Sequence, residues 1–165
     1  GVGKTTLLNE VKKLVLENNL FKRVIKVEVG QSKSVFMIQE EIKDNYDIEL
    51  NMQSNEVRAS RLQTHITEKK EKILFMLDDV WKEYDVEKEF GIRCHSKSEG
   101  MCKILMTGRR RDLFTNQMNT EELFEVNSLT KEESWRFFEA IVGDHQFVEK
   151  IAKDVVKECG GLPLA

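Results

Sequence analysis

Apolar residues along this chain fall into two alternating patterns. Leu7, Leu8, Val11, Leu14 and Val15 recur every three or four positions, which predicts a helix over residues 7–18. Residues 23–29 are rich in Val and Ile and stop at Gly30, as a strand does. Helical spacing returns with Val35, Ile38 and Ile42 in residues 35–46, and with Val57, Leu62 and Ile66 in the longer, more polar stretch 54–72. Residues 73–77 are then apolar at every position, as a strand covered on both faces must be. A further strand is predicted at 103–107 and a short one at 123–126. Helices alternating with such strands predict an α/β fold around a parallel sheet.

After residue 126 the alternation stops. Thr130-x-x-Glu133 is a capping box, and it opens a helix carrying Trp135, Phe137, Phe138 and Ile141. A second helix is predicted at 146–159, ended by Gly160-Gly161 with Pro163 beyond. Two successive helices without a strand predict a small helical subdomain beginning near Ser128. The expected division is therefore 1–127 and 128–165.

Composition narrows the class. The 165 residues, 40% apolar and 33% charged, suit a soluble globular protein of one domain or slightly more. A net charge of −3 gives no reason to expect nucleic acid or an anionic membrane as a direct partner. No apolar run approaches the ~20 residues of a transmembrane segment. Cys94, Cys102 and Cys159 form no Cys-x-x-Cys pair, so reduced thiols in a reducing compartment are expected, and a zinc site at Cys94-His95 with Cys102 lacks a fourth ligand. His65 and His145 stand in polar helical stretches and are expected to be solvated.

Charge and polarity matter most at the ends of the predicted strands. Gly1-Val2-Gly3-Lys4-Thr5-Thr6 is the second half of a phosphate-binding loop, whose first glycine would precede residue 1, so the chain is expected to be a piece of something larger. In such a loop successive backbone N–H groups form an anion-binding concavity at the start of a helix. Lys4 places a cation on the β- and γ-phosphates and the Thr5 hydroxyl ligates Mg²⁺. By chance this string would arise in a chain of this length roughly once in ten thousand cases. The run 73–77 ends in Asp78-Asp79, and a carboxylate at the carboxyl end of a buried parallel strand holds Mg²⁺ in nucleotide hydrolases. Asp78 fits that role. Asp79, one residue on, is a candidate to orient or deprotonate an attacking water. After the strand 103–107 comes Gly108-Arg109-Arg110-Arg111, in which Arg109 is the candidate γ-phosphate sensor and Arg110 and Arg111 start a helix. Pro163 suffices as a helix terminator, and its ring could also cover an adenine face.

Together these motifs resemble one family, the NB-ARC nucleotide-binding domain of plant disease-resistance proteins, within the signal-transduction ATPases with numerous domains. The resemblance spans the chain in order. Residues 1–6 resemble the P-loop, and 24–31 with Ile38-Gln39-Glu40-Glu41-Ile42 resemble the first resistance-protein motif. Leu77-Asp78-Asp79-Val80-Trp81 resembles the kinase-2 motif, and 103–109 the sensor motif. Residues 129–138 resemble the Leu-x-x-x-Glu-x-Trp motif, and Gly161-Leu162-Pro163-Leu164-Ala165 the Gly-Leu-Pro-Leu-Ala motif. Two positions depart from the usual pattern: Gly108 stands where Thr or Ser is common, and Gly30 where Ser is.

The resemblance implies a P-loop NTPase sheet flanked by helices, followed by the start of the helical ARC1 subdomain. It implies that Gly1, Val2, Gly3, Lys4, Thr5 and Thr6 bind the phosphates of ATP or ADP, that Thr5 and Asp78 serve Mg²⁺, that Asp79 is the hydrolytic base, that Arg109 is the sensor and that Pro163 contacts adenine. Trp81 is typical of the subclass with an N-terminal coiled coil. Also implied are a cytoplasmic, slowly hydrolysing switch in defence, flanking coiled-coil and leucine-rich repeat domains, and a pathogen effector or guarded host protein as partner. Its rivals are a metabolic P-loop kinase and a nucleotide-dependent scaffold that never hydrolyses.

Overall fold

Three parallel strands carry the architecture: β1 (Arg23–Glu28), β2 (Ile73–Val80) and β3 (Cys102–Gly108), in the order β1-β2-β3. They belong to a computed structural model that describes residues 1–46, 48–52, 54–94, 102–118, 120–143 and 149–164. The helices are α1 (Lys4–Glu17), α2 (Val35–Lys43), α3 (Asn55–Lys69), α4 (Val86–Phe90), a π-helical turn at Leu113–Gln117, α5 (Lys131–Val142) and α6 (Glu149–Glu158). Two compact units result, Leu8–Leu123 and a second made of Gly1–Leu7 with Phe124–Ala165.

In the larger unit the central strand explains the sheet. Side chains alternate across a strand, so Ile73, Phe75 and Leu77 enter one core with Ile25, Val27, Ile38, Ile42, Leu62 and Phe90. Leu74 and Met76 enter the other, against Leu8 and Val15 of α1. Both faces are therefore covered, and every residue from Ile73 to Asp78 is buried. Removing one such ring, as in Phe75→Ala, costs about 3–5 kcal/mol. This is the P-loop NTPase type of α/β fold, with helices on both faces of a parallel sheet.

Local chemistry sets the helix ends. The Ser34 hydroxyl accepts from the Met37 N–H to start α2, and Lys70 closes α3 in the left-handed region at φ 48°. Arg58 of α3, 1% exposed, ties three segments together. Its Nε donates to Gln39 Oε1 at 2.8 Å, and its terminal nitrogens donate to Glu40 Oε1 and to the Leu50 carbonyl. Gln39 in turn donates to the carbonyls of Asn55 and Glu89. A buried cation would be costly without such partners.

Several expectations are corrected. Residues 123–126 form no strand: Leu123 and Phe124 are both exposed, Phe124 by 78%, so these two side chains do not bury the apolar surface that a strand of the sheet would. The five-residue α4 was invisible to periodicity because it spans little more than one turn; Asp85 caps its start and Gly91 its end. Helix after β3 starts at Arg111, not Arg110, and passes into the π-helical turn. Cys94 and Cys102 are joined as a disulfide with Cα atoms 4.9 Å apart, where reduced thiols were expected. Packing of the segment after α4 beside the start of β3 brings them within bonding range, which a spacing of eight residues does not reveal. Cys159 is a free thiol. His65 is half-buried, its ring edge-on to Tyr46 at 5.5 Å, because both stand on core-facing sides of their segments. His95 and His145 lie outside the described residues.

In the smaller unit the predicted capping box is present, with Thr130 Oγ1 accepting from the Glu133 N–H and the Glu133 carboxylate accepting from the Thr130 N–H. Trp135 stacks on Phe138 at 5.7 Å, and Lys153 of α6 lies 5.5 Å from the Trp135 ring. The Leu129 N–H donates to the Gly161 carbonyl at 2.9 Å. A Cβ at Gly161, where φ is 76°, would lie 2.3 Å from the Leu129 carbonyl oxygen, so only glycine fits there. Among the described residues no helix is long and apolar enough to cross a membrane.

Candidate functional site

Both acids of the pair lie within β2, which runs to Val80 instead of ending at Leu77. Pairing with β3 is irregular between Leu77 and Val80 and resumes where Val80 meets Gly108. Asp79 sits in that irregularity at φ 57°, a region that non-glycine residues rarely occupy. The irregularity separates the two carboxylates. Asp78 continues the α1 face of Leu74 and Met76 with its side chain 6% exposed, whereas that of Asp79 is 36% exposed.

Each carboxylate has its own set of partners. Thr107 Oγ1 donates to Asp78 Oδ1 at 2.6 Å and accepts from the Asp79 backbone N–H at 3.0 Å, so one hydroxyl of β3 fixes both residues. Lys26 of β1 stands on the other side, its Nζ 3.4 Å from Asp78 Oδ2 and 2.8 Å from Asn9 Oδ1 of α1. Asp79 Oδ2 accepts from the Trp81 indole N–H at 2.7 Å. Arg109 Nε lies 4.0 Å from Asp79 Oδ1, and its guanidinium carbon is 4.8 Å from the Trp81 ring centroid. The strand ends thus bring Asp78, Asp79 and Arg109 into one cluster.

Gly108 has a packing reason. A Cβ there would lie 2.6 Å from both the Phe114 ring and the Val80 carbonyl oxygen, so the ring of the π-helical turn fills the room a Thr or Ser side chain would need. Thr107 and Lys26 were missed as site residues from sequence. The one available signal was a polar side chain on the sheet face otherwise occupied by Val24, Leu74, Met76 and Leu105.

The donor set suits a hard divalent ion. Mg²⁺ is held by one or two carboxylates together with waters and phosphates instead of an all-protein cage. Asp78 offers a buried carboxylate oxygen, and its partners include a hydroxyl and an ammonium. Among the described residues no group of three or more His, Cys, Asp and Glu is arranged as a metal cage.

The loop residues Gly1–Thr6 belong to the smaller unit. Gly3, at φ 89°, turns the chain into α1, whose first residue is Lys4, and its carbonyl accepts from the Leu7 N–H at 2.9 Å. The first-turn N–H groups of a helix point out of its end, toward any anion placed there. A Cβ on Gly1 would lie 3.4 Å from Leu164 Cβ and 3.9 Å from Leu162 Cβ. The loop and the two leucines flanking Pro163 are therefore brought together, with Pro163 half-buried.

Comparison with known proteins agrees with these motifs. The family model of the NB-ARC domain matches residues 1–147. Over its whole length the chain is 34% identical to the disease resistance protein RPS5 of Arabidopsis thaliana and 33% identical to the disease resistance protein SUMM2 of the same plant. It spans 19% of the length of each. With a family match over nearly the entire sequence, the chain belongs to the NB-ARC domain family.

Proposed function

We propose that this chain is the nucleotide-binding part of an ATP/ADP switch in a plant disease-resistance protein, with ADP held at rest and ATP in the active state. The observation that carries this reading is the cluster at the carboxyl ends of β2 and β3. There a buried carboxylate, a second carboxylate in a strained backbone position and an arginine converge within one unit. Gly1, Val2, Gly3, Lys4, Thr5 and Thr6 bind the phosphates, and Pro163 contacts adenine. Thr5 and Asp78 hold Mg²⁺, which when bound neutralises phosphate charge. Asp79 takes the proton of the attacking water and Arg109 senses the γ-phosphate. Family membership and the sequence motifs support these roles. Residues 1–127 form the nucleotide-binding subdomain and 128–165 part of the helical one.

The energetics are of the right size. Shifting a two-state population from 1:99 to 99:1 takes about 5.5 kcal/mol of differential binding. Hydrogen bonds to charged groups contribute about 1.5–3 kcal/mol each, so two or three contacts made only to the γ-phosphate suffice. In the full-length protein, a cytoplasmic one on this reading, coiled-coil and leucine-rich repeat domains would flank the switch. A pathogen effector or a guarded host protein would trigger it.

Multiple-turnover phosphate release with the full-length protein tests the reading. Slow release that disappears in Asp79→Ala, together with loss of ADP binding in Lys4→Ala, is the expected outcome. Fast turnover stimulated by a small metabolite would instead make the protein a metabolic kinase. Nucleotide binding without any hydrolysis would make it a scaffold.

A further inference from the structure

Lys26 occupies a place that strand chemistry reserves for an apolar side chain. On the α1 face of the sheet its neighbours are Val24 two residues before it and Met76 beside it in register, and Met76 is fully buried. The Lys26 side chain is 23% exposed. An ammonium half withdrawn from water is best accommodated where a partner of opposite charge stands nearby. That partner is Asp78, 3.4 Å away, and Asn9 Oδ1 accepts from the same ammonium at 2.8 Å. Lys26 lies in the stretch 24–31 that resembles the first resistance-protein motif, but neither Lys26 nor Asn9 is among the candidate site residues, although Asn9 stands four residues beyond Thr5 in α1.

We infer that Lys26 is a built-in counter-ion of Asp78 that sets how much Mg²⁺ the site needs before nucleotide is held tightly. The inference rests on the proposed nucleotide reading. Without a divalent ion, Lys26 and the Thr107 hydroxyl between them engage both oxygens of Asp78, so its buried charge stays compensated. A second cation drawn to that carboxylate has to displace the ammonium or bind within its repulsion. Both routes weaken metal binding, so the direction of the effect does not depend on which operates. Asn9 keeps the ammonium between α1 and β2 and so keeps the opposition in place. Lys26 is thus a positioning residue that acts through Asp78.

The test titrates free Mg²⁺ against the full-length protein with a fluorescent ADP analogue and reads the concentration at half-maximal tight binding. Removing a charge a few ångströms from a partly exposed divalent ion changes its binding by about tenfold, so Lys26→Met should lower that concentration about tenfold. Lys26→Arg should keep the wild-type value. In an Asp78→Asn background, Lys26→Met should have no further effect, which separates a role through Asp78 from a general loss of packing. Lys26→Gln keeps a donor for Asn9 without the charge, and carries the same expectation should Lys26→Met not fold. An unchanged or raised Mg²⁺ requirement in the charge-removing variants, with nucleotide still bound, overturns this inference and leaves the nucleotide reading standing. Absence of nucleotide binding by the wild-type protein at any Mg²⁺ concentration overturns both.

Discussion

Replacing Thr107 by valine probes the cluster most directly, because it removes one oxygen and keeps the shape of the side chain. Two hydrogen bonds go with that oxygen. The bond from Oγ1 to the Asp78 carboxylate, 2.6 Å long, is charge-assisted and contributes about 1.5–3 kcal/mol. The Asp79 N–H, at a backbone position already in the left-handed region, loses its 3.0 Å acceptor, and leaving a buried donor unsatisfied costs about 1–3 kcal/mol. If about half of the combined loss appears as misorientation of the two acids, it amounts to roughly 2 kcal/mol, and at 1.4 kcal/mol per decade Mg²⁺-dependent nucleotide affinity falls about thirtyfold. The assay is equilibrium titration of the full-length protein with a fluorescent ADP analogue at fixed Mg²⁺, with thermal unfolding followed in parallel. Thr107→Ser retains the hydroxyl and should stay within about threefold of wild type. Equal affinities for Thr107→Val and wild type, or equal losses in the serine and valine variants, would refute the assignment of both acids to one hydroxyl.

Other predictions follow from groups away from this cluster. Tyr46 is 7% exposed, its hydroxyl has no hydrogen-bond partner among the described residues, and burial pushes its pKa up to about 12 from 10.0. A raised folded-state value means that its contribution is complete below pH 10.0 and is lost as pH rises toward 12, so Tyr46→Phe should flatten that alkaline loss in unfolding curves. At neutral pH the same variant should match wild type or gain up to about 1 kcal/mol. The Lys43 ammonium and then the Arg58 guanidinium hold the Glu40 carboxyl below its ordinary 4.5. Its contribution is therefore present above pH 4.5 and fades as pH falls through the lower folded value, and melts of Glu40→Gln should be less stable at neutral pH and less sensitive to acid. Gly161→Ala should destabilise the smaller unit by about 2 kcal/mol or more, through the left-handed φ and the clash with Leu129, read as faster proteolysis near residues 124–130.

The chain's own pattern was enough to locate the three strands of the sheet, although it also suggested a fourth at 123–126 that does not form. Continuous apolar character at residues 73–77 demanded a strand buried on both faces, and β2 is buried on both faces. The capping box Thr130–Glu133 and the stop at Gly160-Gly161 fixed α5 and the end of α6, because each acts within a few residues of itself. The glycine-rich loop, the Asp78-Asp79 pair and Arg109 likewise stood out in the sequence as candidates, since the chemistry proposed for them imposes residue type and spacing along one segment. Contacts between segments were not. Lys26, Thr107 and Asp78 come from three strands, and their meeting depends on parallel register, which leaves no mark in any one strand. The left-handed turn at Asp79 that separates the two acids, and the filling of the space beside Gly108 by Phe114, follow from how β2 and β3 pack. The same holds for the bond between Cys94 and Cys102 and for the burial of Arg58 among Gln39, Glu40 and Leu50. Local periodicity and turn chemistry decide which elements form. Only tertiary packing decides which side chains those elements bring within reach of one another.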